Sequence, residues 1–335
     1  MKTVFFDVED YEVEFLERHN DGNFILLNSL LNSNAKIPRA DIYDAEIISV
    51  FTTSRMGAEV LEKFPNLKLI ALRSVGFNHV DSDYCKSHGI AVETSPNYGN
   101  KSVAEFAFAL MLNVCRKIFT AQSDFEKGCF DPTKLMGYEL GGKTVGIIGV
   151  GAIGAEFAHL AHGFDMKILG FDLFPKKELE EKYGVEYVTL DELFERSDFI
   201  SLHAPLTENN FHIIDEKAIA KMKQSVVIIN TARGEHIDTE ALYNALKSGK
   251  IAGAGLDVLE SENSVADTNL VLGIDRLSRN DLKNTLINTK LFQLPNLIIT
   301  PHIAYNPHEA VNRILKTTID NIEKFKDGKI QNRVI

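Results

Sequence analysis

The reading starts from Lys143–Asp172, KTVGIIGVGAIGAEFAHLAHGFDMKILGFD. The β-branched run Val145–Ile148 leads into Gly149-Val150-Gly151-Ala152-Ile153-Gly154, an apolar helix-permissive segment follows, and a second apolar run ends at Asp172. That order is strand, tight glycine turn, helix, strand, acid. In such a unit the first glycine permits the turn, the second lets a pyrophosphate approach the backbone, and the third lets helix and strand pack closely. Free N–H groups at the helix start, with the helix dipole, favour phosphate beside Ala152 and Ile153. Asp172 lies near the ~20-residue spacing expected of an acid that accepts hydrogen bonds from a ribose. Its carboxylate would repel a 2′-phosphate, and Leu173 and Phe174 bring no cation to hold one, although Lys176 and Lys177 follow closely. The stretch therefore predicts NAD in preference to NADP.

Outward from this unit, short apolar strands alternate with helical patterns. On the C-terminal side, strands are expected at Asp198–Leu202, Ser225–Asn230, Ile251–Leu256 and Asn296–Thr300, with helices at Lys176–Tyr183, Leu190–Ser197, Ile213–Met222 and Thr239–Ser248. Ser261–Pro295 has no clear period and is expected to hold one or two short helices, and Pro307–Gly328 reads as a terminal helix. On the N-terminal side, strands are expected at Lys2–Val8, Phe24–Leu27, Ala45–Phe51, Leu67–Leu72 and Ile90–Glu93, with helices at Asp10–His19 and Gly57–Phe64. Lys101–Ile118 reads as a long apolar helix, with Ser102 and Glu105 spaced as a capping box. It is too apolar for one exposed face, so it should pack between domains or between subunits, or be buried in the core. Phe125–Leu140 reads as a loop.

The expected fold class is α/β: a Rossmann-type doubly wound parallel sheet, residues 101–300, inserted into a smaller flavodoxin-like α/β domain, residues 1–100 plus 301–335. The chain would cross between domains near 96–102 and 301–306, with a ligand cleft between the crossings.

The chain has 335 residues and a formal net charge of −11, which argues against nucleic acid and an anionic membrane surface as partners. No apolar run approaches the roughly 20 residues that span a bilayer, and the N-terminus meets acidic residues too early for a signal-peptide core. Cys85, Cys115 and Cys129 suit neither a disulfide framework nor a Cys-x-x-Cys metal site, so free thiols and a cytoplasmic location are expected. His159 and His162 have metal-ligand spacing on a helix, yet no third ligand accompanies them, and no metal is expected.

Chemistry-bearing residues gather at strand ends, where an open α/β sheet places ligands. Arg233 follows Ser225–Asn230, and a guanidinium can grip a carboxylate with two parallel hydrogen bonds. His302 follows Asn296–Thr300 and suits proton transfer near neutral pH. Asp257, Glu260 and Glu262 follow Ile251–Leu256. One of them would pair with His302, and spacing alone does not choose which. His203, Ala204 and Pro205, with Thr231 and Ala232 ahead of Arg233, are expected to line the cofactor groove.

Taken with GVGAIG, the blocks SLHAPLTENNFHIID, NTARGEHIDTEALYNAL, GAGLDVLE and NLIITPHIAY resemble the NAD-dependent D-2-hydroxyacid dehydrogenase family over nearly the whole chain, and look most like its D-lactate dehydrogenase branch. The resemblance implies an oxidoreductase that interconverts a 2-keto acid and a D-2-hydroxy acid with NAD, usually as a homodimer built partly on the helix after Tyr98. It implies Arg233 for the substrate carboxylate, His302 as acid–base, Glu262 as its partner and Asp257 beside the nicotinamide amide. It also implies Val75 and Gly76 as a carboxylate-receiving nest, and Tyr98, Phe51 and Tyr305 as substrate-pocket side chains. Two departures stand out: the long Glu262–His302 stretch sets the chain apart from the formate and phosphoglycerate branches, and Phe51 replaces a tyrosine, so a bulkier keto acid competes with pyruvate. The rivals are a hydroxypyruvate, glyoxylate or phosphoglycerate enzyme, a phosphite or formate oxidoreductase, and a non-enzymatic NAD-sensing corepressor. The intact Arg-Glu-His set disfavours the corepressor.

Overall fold

The computed structural model describes residues 1–20, 22–33, 39–262 and 279–335. The chain divides into two compact units, Met1–Tyr98 with Asn306–Ile335, and Gly99–Tyr305.

The first unit holds β1 (Thr3–Phe5), β2 (Phe24–Leu26), β3 (Ile47–Val50), β4 (Leu69–Leu72) and β5 (Ala91–Glu93), in the order β2-β1-β3-β4-β5 with every pair parallel. The strands read as unbroken apolar runs because both faces are covered. Val4, Ile48, Val50, Ile70 and Leu72 enter one core. Phe5, Ile47, Leu69 and Ala71 pack on the opposite face with Val311, Leu315, Ile319 and Ile322 of the helix His308–Lys326. The tail returns along β5, where Val334 N–H donates to the Val92 carbonyl at 2.8 Å.

The second unit is a Rossmann-type doubly wound parallel sheet. It holds β6 (Thr144–Ile148), β7 (Lys167–Phe171), β8 (Val185–Tyr187), β9 (Phe199–Leu202), β10 (Val226–Asn230), β11 (Ile251–Leu256) and β12 (Leu297–Ile299). Their order is β12-β11-β10-β9-β6-β7-β8, all parallel. The order reverses between β6 and β9, and a doubly wound sheet binds ligands beyond the strand ends at such a switch point.

The helix Asn100–Arg116 is largely core: Ala104, Ala107, Phe108, Met111 and Cys115 pack with Phe157, Ala158 and Ala161 of the helix Ala152–Gly163. Its start differs from the capping-box expectation. Gly99 is the cap, Val103 N–H bonds the Gly99 carbonyl at 2.8 Å, and Ser102 lies inside the helix, buried. The turn at Pro96–Gly99 feeds the helix almost a turn early. The helix stops at Lys117, held in the left-handed region at φ 53, and a second helix, Ile118–Glu126, follows. The stretch expected as a loop carries a 3-10 turn at Pro132–Lys134.

Elements that escaped the sequence pattern include the helix Ser82–His88, capped by Asp81, the helix Ile118–Glu126 and the edge strand β8. Ile213 and Ile214 precede the helix Glu216–Lys221, because Asp215 caps it through Ala218 N–H. Of the unpatterned stretch 261–295, residues 263–278 lie outside the described residues, and Arg279–Leu291 is a helix. Among the described residues, no helix is long and apolar enough to cross a membrane, and no cluster of His, Cys, Asp and Glu is arranged to hold a metal ion.

Candidate active site

At the end of β6 the backbone turns through Gly149 at φ 90, and a Cβ there would stand 2.5 Å from the Ala204 nitrogen. A Cβ on Gly154 would stand 2.1 Å from the Gly149 carbonyl oxygen, so helix and turn touch backbone to backbone. Gly151, at the N-cap of the helix carrying Ala152 and Ile153, faces open space. Asp172, just past β7, closes this turn from the other side: Oδ2 accepts from Val150 N–H at 2.7 Å and Oδ1 from Phe174 N–H at 2.8 Å.

Beyond β9, His203 Nε2 meets Ser201 Oγ at 2.9 Å, and its ring packs on Phe157. Burial pulls the imidazole pKa down to about 3, which keeps the ring neutral at physiological pH. His203 Nδ1 and Thr231 Oγ1 are buried without a hydrogen-bond partner. The side-chain-free space over Gly151 and two unpartnered polar atoms near the same strand ends fit a dinucleotide.

Arg233, Glu262 and His302 follow β10, β11 and β12, which are neighbours in the sheet. His302 Nδ1 lies 2.9 Å from Glu262 Oε1. This bond fixes the proton on Nδ1 and leaves Nε2 for other chemistry. The His302 backbone is left-handed at φ 55, with its N–H on the Thr300 carbonyl at 3.0 Å. Burial pushes the Glu262 carboxyl up, but the hydrogen bond and charge of His302, the Leu259 N–H and the Arg233 charge outweigh it and hold Glu262 below its ordinary value. An ionised carboxylate therefore backs the imidazole at neutral pH. The Tyr305 ring stands edge-on to His302 at 6.3 Å.

The other two acids that spacing left open are committed elsewhere. Glu260 bonds His212 Nε2 at 2.9 Å and Thr239 Oγ1 at 2.6 Å. Asp257, 1% exposed, accepts from Thr300 Oγ1 at 2.5 Å, Ile303 N–H at 3.0 Å and Ala304 N–H at 2.8 Å. It thus secures the chain on both sides of His302. Burial raises its pKa against these bonds.

Sequence reasoning missed Asn230, the last residue of β10. Its Oδ1 accepts from Ala232 N–H at 2.9 Å and its Nδ2 donates to the Arg233 carbonyl at 2.8 Å. The signal was present as an Asn two residues before a small residue at a strand end, the pattern of an Asx turn. Gly234 then presses the Arg233 turn onto the Leu259–Glu260 backbone. The Arg233 Nη1 itself donates to the Ala232 carbonyl at 2.7 Å.

In the unit Met1–Tyr98 with Asn306–Ile335, Phe51 and the Val75–Gly76 segment follow β3 and β4. Phe51 N–H donates to Asp7 Oδ2 at 3.1 Å, and Ser74 Oγ donates to the Gly76 carbonyl at 2.7 Å. Beneath them Arg73, 1% exposed, donates to the carbonyls of Phe6 at 2.7 Å and Asp7 at 2.9 Å and faces Glu12 at 3.3 Å. The Tyr98 carbonyl accepts from Arg313 Nε at 2.7 Å. The helical pair His159 and His162 packs against Tyr183.

Residues 108–304 match the family described as D-isomer specific 2-hydroxyacid dehydrogenase, NAD binding domain. The aromatic 2-oxoacid reductase of Clostridium sporogenes is 38% identical over 333 residues, covering 97% of this chain and 96% of that protein. The glyoxylate reductase of Korarchaeum cryptofilum is 36% identical over 298 residues, covering 88% of this chain and 83% of that protein. Among solved structures, D-lactate dehydrogenase from Aquifex aeolicus complexed with NAD and lactic acid superposes with a TM-score of 0.83 at 36% identity, over 98% of this chain and 96% of that one. The apo D-lactate dehydrogenase of Escherichia coli gives 0.85 at 32% identity over the full length of both chains.

Proposed function

Because the chain belongs to the D-isomer specific 2-hydroxyacid dehydrogenase family and catalyses NAD-dependent reduction of a 2-keto acid to a D-2-hydroxy acid, we propose the division of labour among its residues and the class of keto acid it takes. The reading is carried by the 2.9 Å hydrogen bond between His302 and Glu262, with Arg233 charged beside them.

In this reading Arg233 holds the substrate carboxylate, helped by the N–H groups of Val75 and Gly76. Protonated His302 donates from Nε2 to the carbonyl oxygen as it gains charge. Glu262 stabilises the imidazolium, and Asp257 keeps His302 in place. Fixed positive groups beside a developing alkoxide stabilise the transition state. The bound coenzyme supplies the hydride, and the Gly149–Gly154 turn, Asp172, His203–Pro205, Thr231 and Ala232 hold it.

For the substrate we propose pyruvate, as in the D-lactate dehydrogenases. A second reading, an aromatic 2-keto acid, is favoured by Phe51, Tyr98 and Tyr305 as pocket side chains and by the Clostridium sporogenes relative. The smaller unit is read as flavodoxin-like, since 2-1-3-4-5 is the strand order of that sheet. A homodimer is proposed on the exposed Ile118, Phe119, Phe125, Phe130 and Met136, and a cytoplasmic location on the free cysteines.

The test is NADH oxidation against pyruvate, 2-ketoisocaproate, phenylpyruvate, oxaloacetate, glyoxylate and hydroxypyruvate. The highest kcat/KM is expected with pyruvate or phenylpyruvate. A preference for glyoxylate or hydroxypyruvate would overturn the substrate reading.

A further inference from the structure

We propose that Asn230 is a positioning residue for the reaction: its amide brackets the main chain of Arg233 and so sets the direction from which the guanidinium meets the keto-acid carboxylate. The proposal rests on the reading of Arg233 as the carboxylate ligand.

Asn230 is fully buried at the end of β10. A carboxamide presents one acceptor and one donor in a single rigid plane. Here the acceptor takes the N–H of Ala232, just before Arg233, and the donor takes the carbonyl of Arg233 itself. The two bonds hold the Thr231–Ala232 and Arg233–Gly234 peptide units, which enclose the Ala232–Arg233 segment. The same carbonyl also receives His236 N–H and Nδ1, each at 3.2 Å. The Asn230 carbonyl accepts Asp257 N–H at 2.9 Å, and Asp257 holds Ile303 and Ala304 beside His302. One buried side chain and its own peptide therefore tie the cation turn to the segment that carries the imidazole. A carboxamide alone among side chains of this size carries the two polarities on separate atoms of one plane. An aspartate would turn a second acceptor onto the Arg233 carbonyl, and an alanine would leave both backbone groups without these partners.

The experiment compares Asn230→Ala, Asn230→Asp and Asn230→Ser with wild type in steady-state kinetics on the best keto acid. NADH affinity is measured by fluorescence titration, and folding by thermal melts. Loss of one hydrogen-bonding amide is expected to lower keto-acid kcat/KM about tenfold in Asn230→Ala. A carbonyl pushed away by Asn230→Asp is expected to lower it by up to about a hundredfold. NADH affinity should change far less than either.

A pure packing role predicts the reverse order, because Asp fills the space and Ala empties it. Asp milder than Ala, or equal losses for NADH and keto acid, would overturn the proposal. If Asn230→Asp does not fold, Asn230→Ser decides: its hydroxyl can serve one of the two backbone groups, so it should keep several-fold more kcat/KM than Ala, and equality would overturn the proposal. Arg233→Lys in the same assay separates the two levels. If it leaves keto-acid kcat/KM unchanged, the carboxylate reading fails and the positioning role fails with it. If it is damaging while the Asn230 variants are silent, only the positioning role fails.

Discussion

Replacing Gly234 by alanine tests whether the cation turn and the acid–base loop must touch. The added methyl would sit 2.0 Å from the Leu259 carbonyl carbon and 2.2 Å from the Glu260 nitrogen, about 1.4 Å short of the 3.4 Å at which ordinary contact begins. The three nearest atoms are all backbone, so no side-chain swing relieves the clash, and the Arg233 turn and the Leu259–Glu262 loop must separate. Glu262 hangs on that loop and bonds His302, so the separation reaches both groups proposed to meet the substrate. A misplacement of about 1 Å in a reacting array can cost about a hundredfold in rate. Overpacking of this kind costs about 1–3 kcal/mol of stability, which for a unit of this size lowers the melting temperature by some 2–12 °C. Gly234→Ala should therefore fold, bind NADH with nearly unchanged affinity, and lose on the order of a hundredfold in keto-acid kcat/KM. The assay is absorbance-monitored NADH oxidation with a parallel fluorescence titration of NADH. A folded variant whose kcat/KM stays within about threefold of wild type would show that the contact does not set the geometry.

Three further outcomes are expected. His302→Ala should lower turnover by roughly two to four powers of ten with NADH affinity retained; unchanged turnover on the best keto acid would remove His302 from proton transfer. Asp172→Ser should weaken NADH and narrow the NADH-over-NADPH preference by about tenfold, read as the ratio of the two Michaelis constants. Glu93 is fully buried on β5, and burial pushes its carboxyl up to about 7 from 4.5 against the Gln331 N–H and Arg333. The folded chain keeps this proton after the unfolded chain has lost it, so the stability it contributes is present below pH 4.5 and drains away as pH rises to about 7. Glu93→Gln should then stabilise the protein more at pH 8 than at pH 5, by on the order of 2 kcal/mol in denaturant melts; an equal effect at both pH values would contradict the assignment.

How much was legible beforehand follows from where each residue's environment is local. Ser225–Asn230 reads as a strand because a parallel sheet covered on both faces needs an unbroken apolar run, and Val226–Ile229 are all fully buried. Val185–Tyr187 is an edge strand whose apolar run is broken by the exposed Glu186, whereas the equally short Phe24–Leu26 and Leu297–Ile299 are wholly apolar. Ser102 and Glu105 have capping-box spacing, but the preceding Gly99 turn, a feature of chain direction, decides where the helix begins. The glycine turn was readable because each glycine answers a local steric demand. The choice among Asp257, Glu260 and Glu262 was not, since three acids on an irregular loop have no periodicity, and their partners Thr300, His212 and His302 arrive from distant parts of the chain. Asn230 looked like the polar end of an apolar strand, and only the folded turn gives its amide two addresses.

Arg233, Glu262 and His302 follow three adjacent strands of a single unit, whereas Phe51, Val75 and Tyr98 belong to the other. Under the proposed roles, proton delivery belongs to one unit, while side-chain preference is shared between Phe51 and Tyr98 in the other and Tyr305 beside His302. Under those roles a substitution at Phe51 would retune which R group is accepted while the imidazole–carboxylate pair stays untouched.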